Sequence, residues 1–223
     1  MTKALFLQAI GKFAFGLILI GLLLFLPAGS FAYPQAWLFL GVLFVPMLIA
    51  GIILMIRNPE LLRKRLDAKE KQKGQKALVI ISGVLFAAAF IVAGLNFRFS
   101  WITMPVWSAY AGAIIFLLAY LIYAEALREN PYLSRTIEVQ EDQKVIDTGL
   151  YGVVRHPMYT ATLFMFLAMG FILGSPISSA IMLIYIPIIV IRILREEKLL
   201  KNSLPGYAEY RKRVRIRLLP MIW

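Results

Sequence analysis

The sequence of 223 residues contains no cysteine and a single histidine. The absence of cysteine excludes disulfide bonds and catalysis by a thiol. An ordinary zinc site takes several histidine and cysteine ligands, so we predict no metal site. Charged residues are also scarce, at 16% of the chain, and only 12 of them are acidic. The function must therefore rest on a small number of polar side chains in an apolar chain.

Long apolar segments make up most of the chain. Apolar residues reach 61% and the mean hydropathy is +0.77, whereas a soluble domain has about 45–50% apolar residues. A helix of about 20 apolar residues crosses a hydrocarbon core of ~30 Å. Six such segments are present, at 4–26, 35–56, 77–96, 104–124, 157–174 and 176–193. We predict an all-α integral membrane protein with about six transmembrane helices and a C-terminal cytoplasmic helical segment.

The basic residues are distributed unevenly among the connecting loops. Loop 57–76 holds eight Lys/Arg, loop 125–156 holds four and the tail from 192 holds nine, whereas the alternate loops hold only Arg98. By the positive-inside rule, both termini lie in the cytoplasm. Membrane topology and contact with anionic membrane lipids account for the net charge of +12. We therefore predict that the protein does not bind nucleic acid. We expect an inner or equivalent membrane, with the active site facing the cytoplasm.

Two segments near the first helices each allow two interpretations. Ser30-Phe31-Ala32 resembles a signal-peptide cleavage site, but retention of the first segment pairs it with the second, and we favour retention. Loop 57–76 is either a solvated basic anchor, which we favour, or a short surface helix whose Leu61, Leu62 and Leu66 face lipid.

The charge distribution also divides the chain into two parts. Residues 1–124 form a predicted four-helix transmembrane scaffold, and its third and fourth helices carry no buried ionisable residue, which disfavours an ion path. Residues 125–223 form the predicted catalytic region, which consists of a cytoplasmic connector, a helical hairpin at 157–193 and a C-terminal lid. The connector holds six acidic residues in 125–150. Apolar and polar residues alternate on both sides of 141–143, which predicts two short extended pieces around a turn.

The hairpin brings distant polar residues to one level. Pro157 suits the first turn of a helix, and Gly174-Ser175-Pro176 turns the chain back over a similar length of about 26 Å. The mouth of the hairpin, at the membrane surface, therefore gathers Arg155, His156, Arg192, Glu196 and Glu197. We take Arg192, Arg155 and Glu197 as the candidate catalytic residues.

Four motifs in a fixed order carry a family resemblance. They are Gly-x-Tyr-x-x-x-Arg-His-Pro-x-Tyr at 149–159, Arg-x-x-x-Glu-Glu-x-x-Leu at 192–200, Tyr-x-x-Tyr at 207–210 and Arg-Leu-Leu-Pro at 217–220. This ordered set resembles the isoprenylcysteine carboxyl methyltransferase family over about 137–223. Leu150 stands where many relatives have proline.

The resemblance implies a membrane methyltransferase that binds S-adenosylmethionine without a Rossmann domain, between the hairpin's cytoplasmic end and the tail. It implies that Arg192 holds the carboxylate of a lipid-like or prenylated acceptor. The cofactor contacts that it implies are Gln140, Gln143, Lys144, Val145, Ile146, Tyr151, His156, Pro157, Met158, Tyr159 and Glu196.

The chemistry of the residues agrees with this interpretation. A carboxylate is ionised at neutral pH, so methyl transfer to it needs alignment more than a strong base. Arg192 offers a planar fork that matches a carboxylate, and Glu196 would oppose the positive end of the cofactor. Four tyrosines are candidates to enclose the adenine, namely Tyr151, Tyr159, Tyr207 and Tyr210.

Three other functions stay open at this point. A phospholipid N-methyltransferase must deprotonate an amine, for which Glu197 is suited. A membrane sterol or enone reductase also has an Arg-His-x-x-Tyr and an acidic pair, but it uses NADPH, and no additional Arg/Lys cluster is evident for a 2′-phosphate. A structural or transport protein would leave the polar convergence at the hairpin mouth unexplained.

Overall fold

The computed structural model describes residues 3–66, 73–133, 139–219 and 223. Within these ranges the chain forms helices and no β-strand, which confirms the predicted all-α class. The helices are α1 (Lys3–Ala28), α2 (Pro34–Arg57), α3 (Pro59–Leu66), α4 (Lys73–Phe99), α5 (Val106–Glu129), α6 (Gly149–Val153), α7 (Pro157–Ile172), α8 (Pro176–Leu183), α9 (Tyr185–Ser203) and α10 (Tyr207–Arg213).

Five helical segments are long and apolar enough to cross a membrane. They are Ala4–Ala28, Pro34–Arg57, Ala77–Phe99, Val106–Glu129 and Pro176–Ser203, the last of which joins α8 and α9. The remaining predicted segment forms α7, which is apolar but has only 16 residues and is therefore about 24 Å long. Most side chains of α7 are buried inside the bundle, so this helix belongs to the core of the fold.

The core of the bundle forms where α7 packs along α5, while α1 and α8 pack on α4. Small residues on α5 permit the close approach to α7, because a Cβ atom at Gly112 would lie 2.9 Å from the backbone nitrogen of Ile172. Such small-residue contacts are the usual means by which helices pack closely in membranes. Phe39 and Phe116 meet edge to face with ring centroids 6.0 Å apart and fill the space between α2 and α5.

The predicted turn at 174–176 is present and well bonded. Gly174 has φ +64, a conformation that glycine adopts without strain. Ser175 caps α8 by accepting a hydrogen bond from the backbone nitrogen of Ser178 at 3.3 Å, and Pro176 is the first residue of α8. The Asn96 side chain of α4 donates to the Gly174 carbonyl at 3.2 Å, which fixes the turn to the neighbouring helix.

The returning helix differs from the single predicted segment at 176–193. It is interrupted at Ile184, between α8 and α9. Pro187 explains the interruption, because it has no N–H to donate to the carbonyl four residues earlier. Helix α9 then continues to Ser203, and Gly206 leaves the helical conformation with φ +82 before α10 begins at Tyr207.

Loop 57–76 is helical in part. Residues 59–66 form α3, whose first turn is capped by Asn58 Oδ1 accepting from the Leu61 nitrogen at 3.0 Å. Leu61 and Leu62 are buried against the other helices, so these leucines do not face lipid. The solvated anchor that the sequence favoured is therefore wrong for this part, because burial of two leucines stabilises a helix. Residues 67–72 lie outside the described ranges.

The connector before α7 has the predicted turn but no strand among its described residues. Asp142 has φ +57, and the Gln143 nitrogen donates to the Gln140 carbonyl at 3.2 Å. The first predicted extended piece begins at Ile137 and Glu138, which lie outside the described residues. The short helix α6 was not predicted from the sequence.

Candidate active site

The site is built around the start of α7, where the tail pairs with the chain. His156 occupies the position before the helix and Pro157 begins it, as the sequence predicts. The backbone nitrogens of Arg155 and His156 donate to the carbonyls of Ile216 and Arg217, each at 3.0 Å. These bonds place the tail directly against the Arg-His-Pro motif.

Glu197 is the centre of a buried ionic cluster. Its side chain is 4% exposed, and Oε1 lies 3.2 Å from Arg155 Nη2 and 3.3 Å from His156 Nε2. Its other oxygen accepts from Arg217 Nε at 3.2 Å, and Arg211 Nη2 lies 3.8 Å away. Glu197 therefore joins the Arg-His-Pro motif of one segment to the basic tail of another.

The burial of this cluster corrects one expectation. Arg155 is 7% exposed and His156 is 5% exposed, so neither is an accessible residue of the membrane surface. The tail covers both, and burial lowers the pKa of Arg155, opposed by the attraction of Glu197. A truncation at His156 would therefore remove a buried contact with Glu197.

A second polar group lies on the neighbouring face of α9. The Tyr159 hydroxyl donates to Glu196 Oε2 at 2.9 Å. Arg192, one helical turn before Glu196, interacts with the same tyrosine hydroxyl. Tyr159 thus fixes the positions of a guanidinium and a carboxylate that stand four residues apart.

Two tail tyrosines and the connector form the opposite wall. Tyr207 and Tyr210 are buried with Leu204 and Val214, and Val145 of the connector packs against this cluster. The Tyr210 hydroxyl donates to the Tyr151 carbonyl at 2.8 Å. The tail, the connector and α6 therefore meet in one packed wall.

Tyr207 leaves a polar atom available to a ligand. Its hydroxyl is buried and has no hydrogen-bond partner among the described residues. Burial, reinforced by the charges of Glu197 and Glu196, raises the pKa of Tyr207, so the hydroxyl keeps its proton at neutral pH. A buried polar atom without a partner is costly, and a bound polar ligand would remove that cost.

These walls enclose one cavity of about 520 Å³, a size typical of cofactor and ligand sites. The predicted residues that line it are Gln143, Lys144, Val145, Ile146, Tyr151, Arg155, His156, Met158, Tyr159, Arg192, Glu196, Tyr207 and Tyr210. The structure therefore brings together residues that the sequence separates by up to 67 positions, from Gln143 to Tyr210.

Three predicted site residues do not line the cavity. Gln140 holds the connector in shape, since its side chain donates to the Tyr132 carbonyl at 2.5 Å and its backbone nitrogen donates to Gln143 Oε1 at 2.9 Å. Pro157 is buried at the helix start. Glu197 lies behind the wall, where its carboxylate contacts Arg155, His156 and the tail.

The cavity extends into the scaffold, which the sequence did not predict. Residues on one face of α4 line this part, at the helical spacing 79, 82, 83 and 86, together with Phe166 and Tyr185. Arg65 of α3 and Tyr123 of α5 also contribute. The sequence does show that these four α4 residues recur on one helical face. The neighbouring sequence does not indicate which other helix that face lies against.

The comparisons with known proteins agree with this architecture. Residues 106–205 match the family model described as phospholipid methyltransferase. A solved structure of the eukaryotic intramembrane Ras methyltransferase ICMT, isoprenylcysteine carboxyl methyltransferase, is similar with a TM-score of 0.55 and 21% identity, over 92% of this chain and 74% of that chain. No curated protein sequence matches the chain.

The fold is similar to that of the ICMT structure, and the match of residues 106–205 to the phospholipid methyltransferase model supports the resemblance to membrane methyltransferases found in the sequence. The part of the chain that carries most of the cavity wall, residues 106–205, corresponds to the phospholipid methyltransferase family. Arg65, the face of α4, and the tail tyrosines Tyr207 and Tyr210 lie outside that matched region.

Proposed function

We propose that this protein transfers a methyl group from S-adenosylmethionine to the carboxylate of a lipid-like or prenylated acceptor. The observation that carries the proposal is the shape of this cavity. Its polar part lies between the connector, the tail and Arg192, and its apolar part lies between α4 and α7. Such a cavity suits a polar cofactor and an acceptor with a long apolar chain, in contact with each other.

The residues of the polar part fit the cofactor. The buried Tyr207 hydroxyl lacks a protein partner among the described residues, and the aromatic rings of Tyr207 and Tyr210 lie 5.7 Å apart. Aromatic side chains of this kind offer the packing that an adenine requires. The connector residues from Gln143 to Ile146 line the same wall, and Glu196 supplies a negative charge for the amino or sulfonium group.

When bound, S-adenosylmethionine supplies an electrophilic methyl group, which a carboxylate oxygen of the acceptor takes as the carbon–sulfur bond breaks and S-adenosylhomocysteine is left. The chain's own contribution is alignment. Arg192 holds the acceptor carboxylate through its planar fork, and Tyr159 keeps Arg192 and Glu196 in register through its 2.9 Å bond to Glu196. Alignment of two reactants is worth about 7–11 kcal/mol.

The charges around the cavity support a carboxylate acceptor over an amine. Lys144 and Arg192 line it with Glu196, whereas the carboxylate of Glu197 is engaged with Arg155, His156 and Arg217 behind the wall. An amine acceptor requires a base to remove a proton, and Glu197 is poorly placed for that role. The match to the phospholipid methyltransferase family keeps amine methylation as the second candidate.

The proposal is tested by two substitutions on one face of α9. Arg192→Lys keeps the charge but loses the fork, so we expect the rate of ester formation to fall about 10- to 100-fold, the equivalent of one charge-assisted hydrogen bond. The affinity of Arg192→Lys for S-adenosylhomocysteine should equal that of the parent. Glu196→Gln should instead bind the cofactor more weakly, because it removes the charge that faces the cofactor, and its rate at saturating cofactor should fall less.

The matched control is Arg195→Lys, since Arg195 lies on the same helix and is exposed. It should leave both the rate and the cofactor affinity at the parent values. In the double variant of Arg192 and Glu196, the effects of the two substitutions on the rate should not add, because both side chains contact Tyr159. Parent-like turnover of Arg192→Lys would contradict the proposed role and make the amine acceptor the leading hypothesis.

A further inference from the structure

A second guanidinium lines the cavity from outside the region that matches the methyltransferase family. Arg65 belongs to α3 and lines the same cavity as Arg192. Its guanidinium carbon lies 5.3 Å from the centre of the Tyr123 ring, and both terminal nitrogens lie 3.8 Å from Met158 Sδ. An aromatic face and a thioether thus contact the guanidinium where it lines the cavity.

Arg65 is presented by an ordered helix. Asn58 caps α3 through its 3.0 Å bond to the Leu61 nitrogen, and the buried side chains of Leu61 and Leu62 anchor the helix to the bundle. A cation on such a helix is pre-organised, so little conformational freedom is lost when it binds an anion.

The position of Arg65 relates it to the acceptor. Met158, which it contacts, begins a face of α7 that continues through Thr162 and Phe166 along the apolar part of the cavity. The facing side of α4 supplies Val79 and Phe86. A ligand whose apolar chain lies between these two faces would present its polar end close to Arg65.

We propose that Arg65 is a specificity-determining residue that binds the anionic headgroup of the acceptor and disfavours acceptors with a protonated amine. This inference rests on the proposed function and deepens it, because it assigns the acceptor to the class of anionic lipids. Guanidinium groups form strong bidentate hydrogen bonds with carboxylate and phosphate groups, and juxtaposed like charges oppose binding of the wrong partner.

The test measures the binding of two matched probes to the purified protein in detergent. The probes are a farnesyl thioether carboxylic acid and its uncharged primary amide, each titrated calorimetrically in the presence of S-adenosylhomocysteine. The parent should bind the acid more tightly than the amide. Arg65→Gln should weaken binding of the acid about tenfold and leave binding of the amide unchanged, while Arg65→Lys should retain part of the preference.

The matched control is Arg63→Gln, which removes one positive charge from an exposed position of the same helix. It should change the affinity for neither probe. An equal loss of acid and amide binding in Arg65→Gln would overturn the inference, because it would show that Arg65 only holds α3 against Tyr123 and Met158. Unchanged binding of the acid would overturn it as well.

A rate measurement separates this inference from the proposed function. If the parent esterifies the acid, Arg65→Gln should raise its KM about tenfold with little change in kcat; an unchanged KM would contradict the inference and leave the proposed function standing. If the parent forms no ester, the proposed function fails, and Arg65-dependent preference for the acid over the amide would still support an anion-binding site.

Discussion

Replacing Glu197 with glutamine tests whether the buried ionic cluster holds the candidate active site together. The substitution keeps the shape of the side chain but removes the charge that faces Arg155 at 3.2 Å, His156 at 3.3 Å and Arg217 at 3.2 Å. Arg155 and Glu197 are each 4% exposed in their side chains, so water cannot replace the lost partner. Arg217 and Arg211 are partly exposed and are affected less.

The burial of this ion pair sets the expected loss of stability in Glu197→Gln. Removal of one partner from a buried ion pair destabilises a protein by about 3–5 kcal/mol. For a chain of this length, that corresponds to a fall of roughly 6–20 °C in the unfolding midpoint. Affinity for S-adenosylhomocysteine should fall too, because Arg155 and His156 line the cavity and Glu197 holds both in place.

The assay is thermal unfolding in a single detergent, followed by intrinsic fluorescence with and without S-adenosylhomocysteine. The matched control is Glu125→Gln, which removes the carboxylate of the exposed Glu125–Arg128 pair and should leave the midpoint nearly unchanged. A midpoint for Glu197→Gln within about 2 °C of the parent, well below the range above, would refute the structural role. A loss of rate without a shift in midpoint would instead indicate that Glu197 acts in the chemistry.

Three further predictions concern the site, the packing and the topology. Tyr159→Phe removes the 2.9 Å bond to Glu196 and should cost about 1 kcal/mol of stability, with a fall in methyl-transfer rate larger than the loss of cofactor affinity; equal losses would contradict the aligning role. Gly170→Ala places a Cβ atom 2.8 Å from the Ser175 carbonyl and also against Ser179, so its unfolding midpoint should fall well below that of Gly51→Ala, a helical position with nothing within 4 Å. Reporter fusions after residues 30, 100 and 175 should report the outer side of the membrane, and a cytoplasmic signal from any of them would contradict the topology.

Local signals in the sequence were enough to predict most of the helices. The apolar runs predicted α1, α2, α4 and α5, because about 20 consecutive apolar residues have few alternatives to a membrane helix. Pro157 and the 174–176 turn predicted where α7 begins and where the chain reverses. Proline and glycine start a helix or turn the chain through backbone geometry within a few residues, so the sequence alone is enough to predict these positions.

The parts that were missed depend on contacts between distant segments. Leu61 and Leu62 are buried only because α3 packs on the bundle, and a basic loop gives no sign of that. Glu197 was taken as a candidate catalytic residue because the hairpin brings it level with Arg155 and His156, but it follows Glu196 on a helix, where successive side chains point in directions about 100° apart. The sequence could not show that one carboxylate reaches the cavity while the other is covered by the tail.

The chemical fate of a transferred methyl group distinguishes a carboxylate acceptor from an amine acceptor. The purified protein is supplied with S-adenosylmethionine labelled with tritium in its methyl group, together with either a farnesyl thioether carboxylic acid or phosphatidylethanolamine. If the acceptor is a carboxylate, the acid becomes labelled, and mild alkali releases the label as volatile methanol because the product is an ester. Arg192→Lys should lose this label and Arg195→Lys should keep it. Alkali-stable label in phosphatidylethanolamine, with none in the acid, would contradict carboxylate methylation.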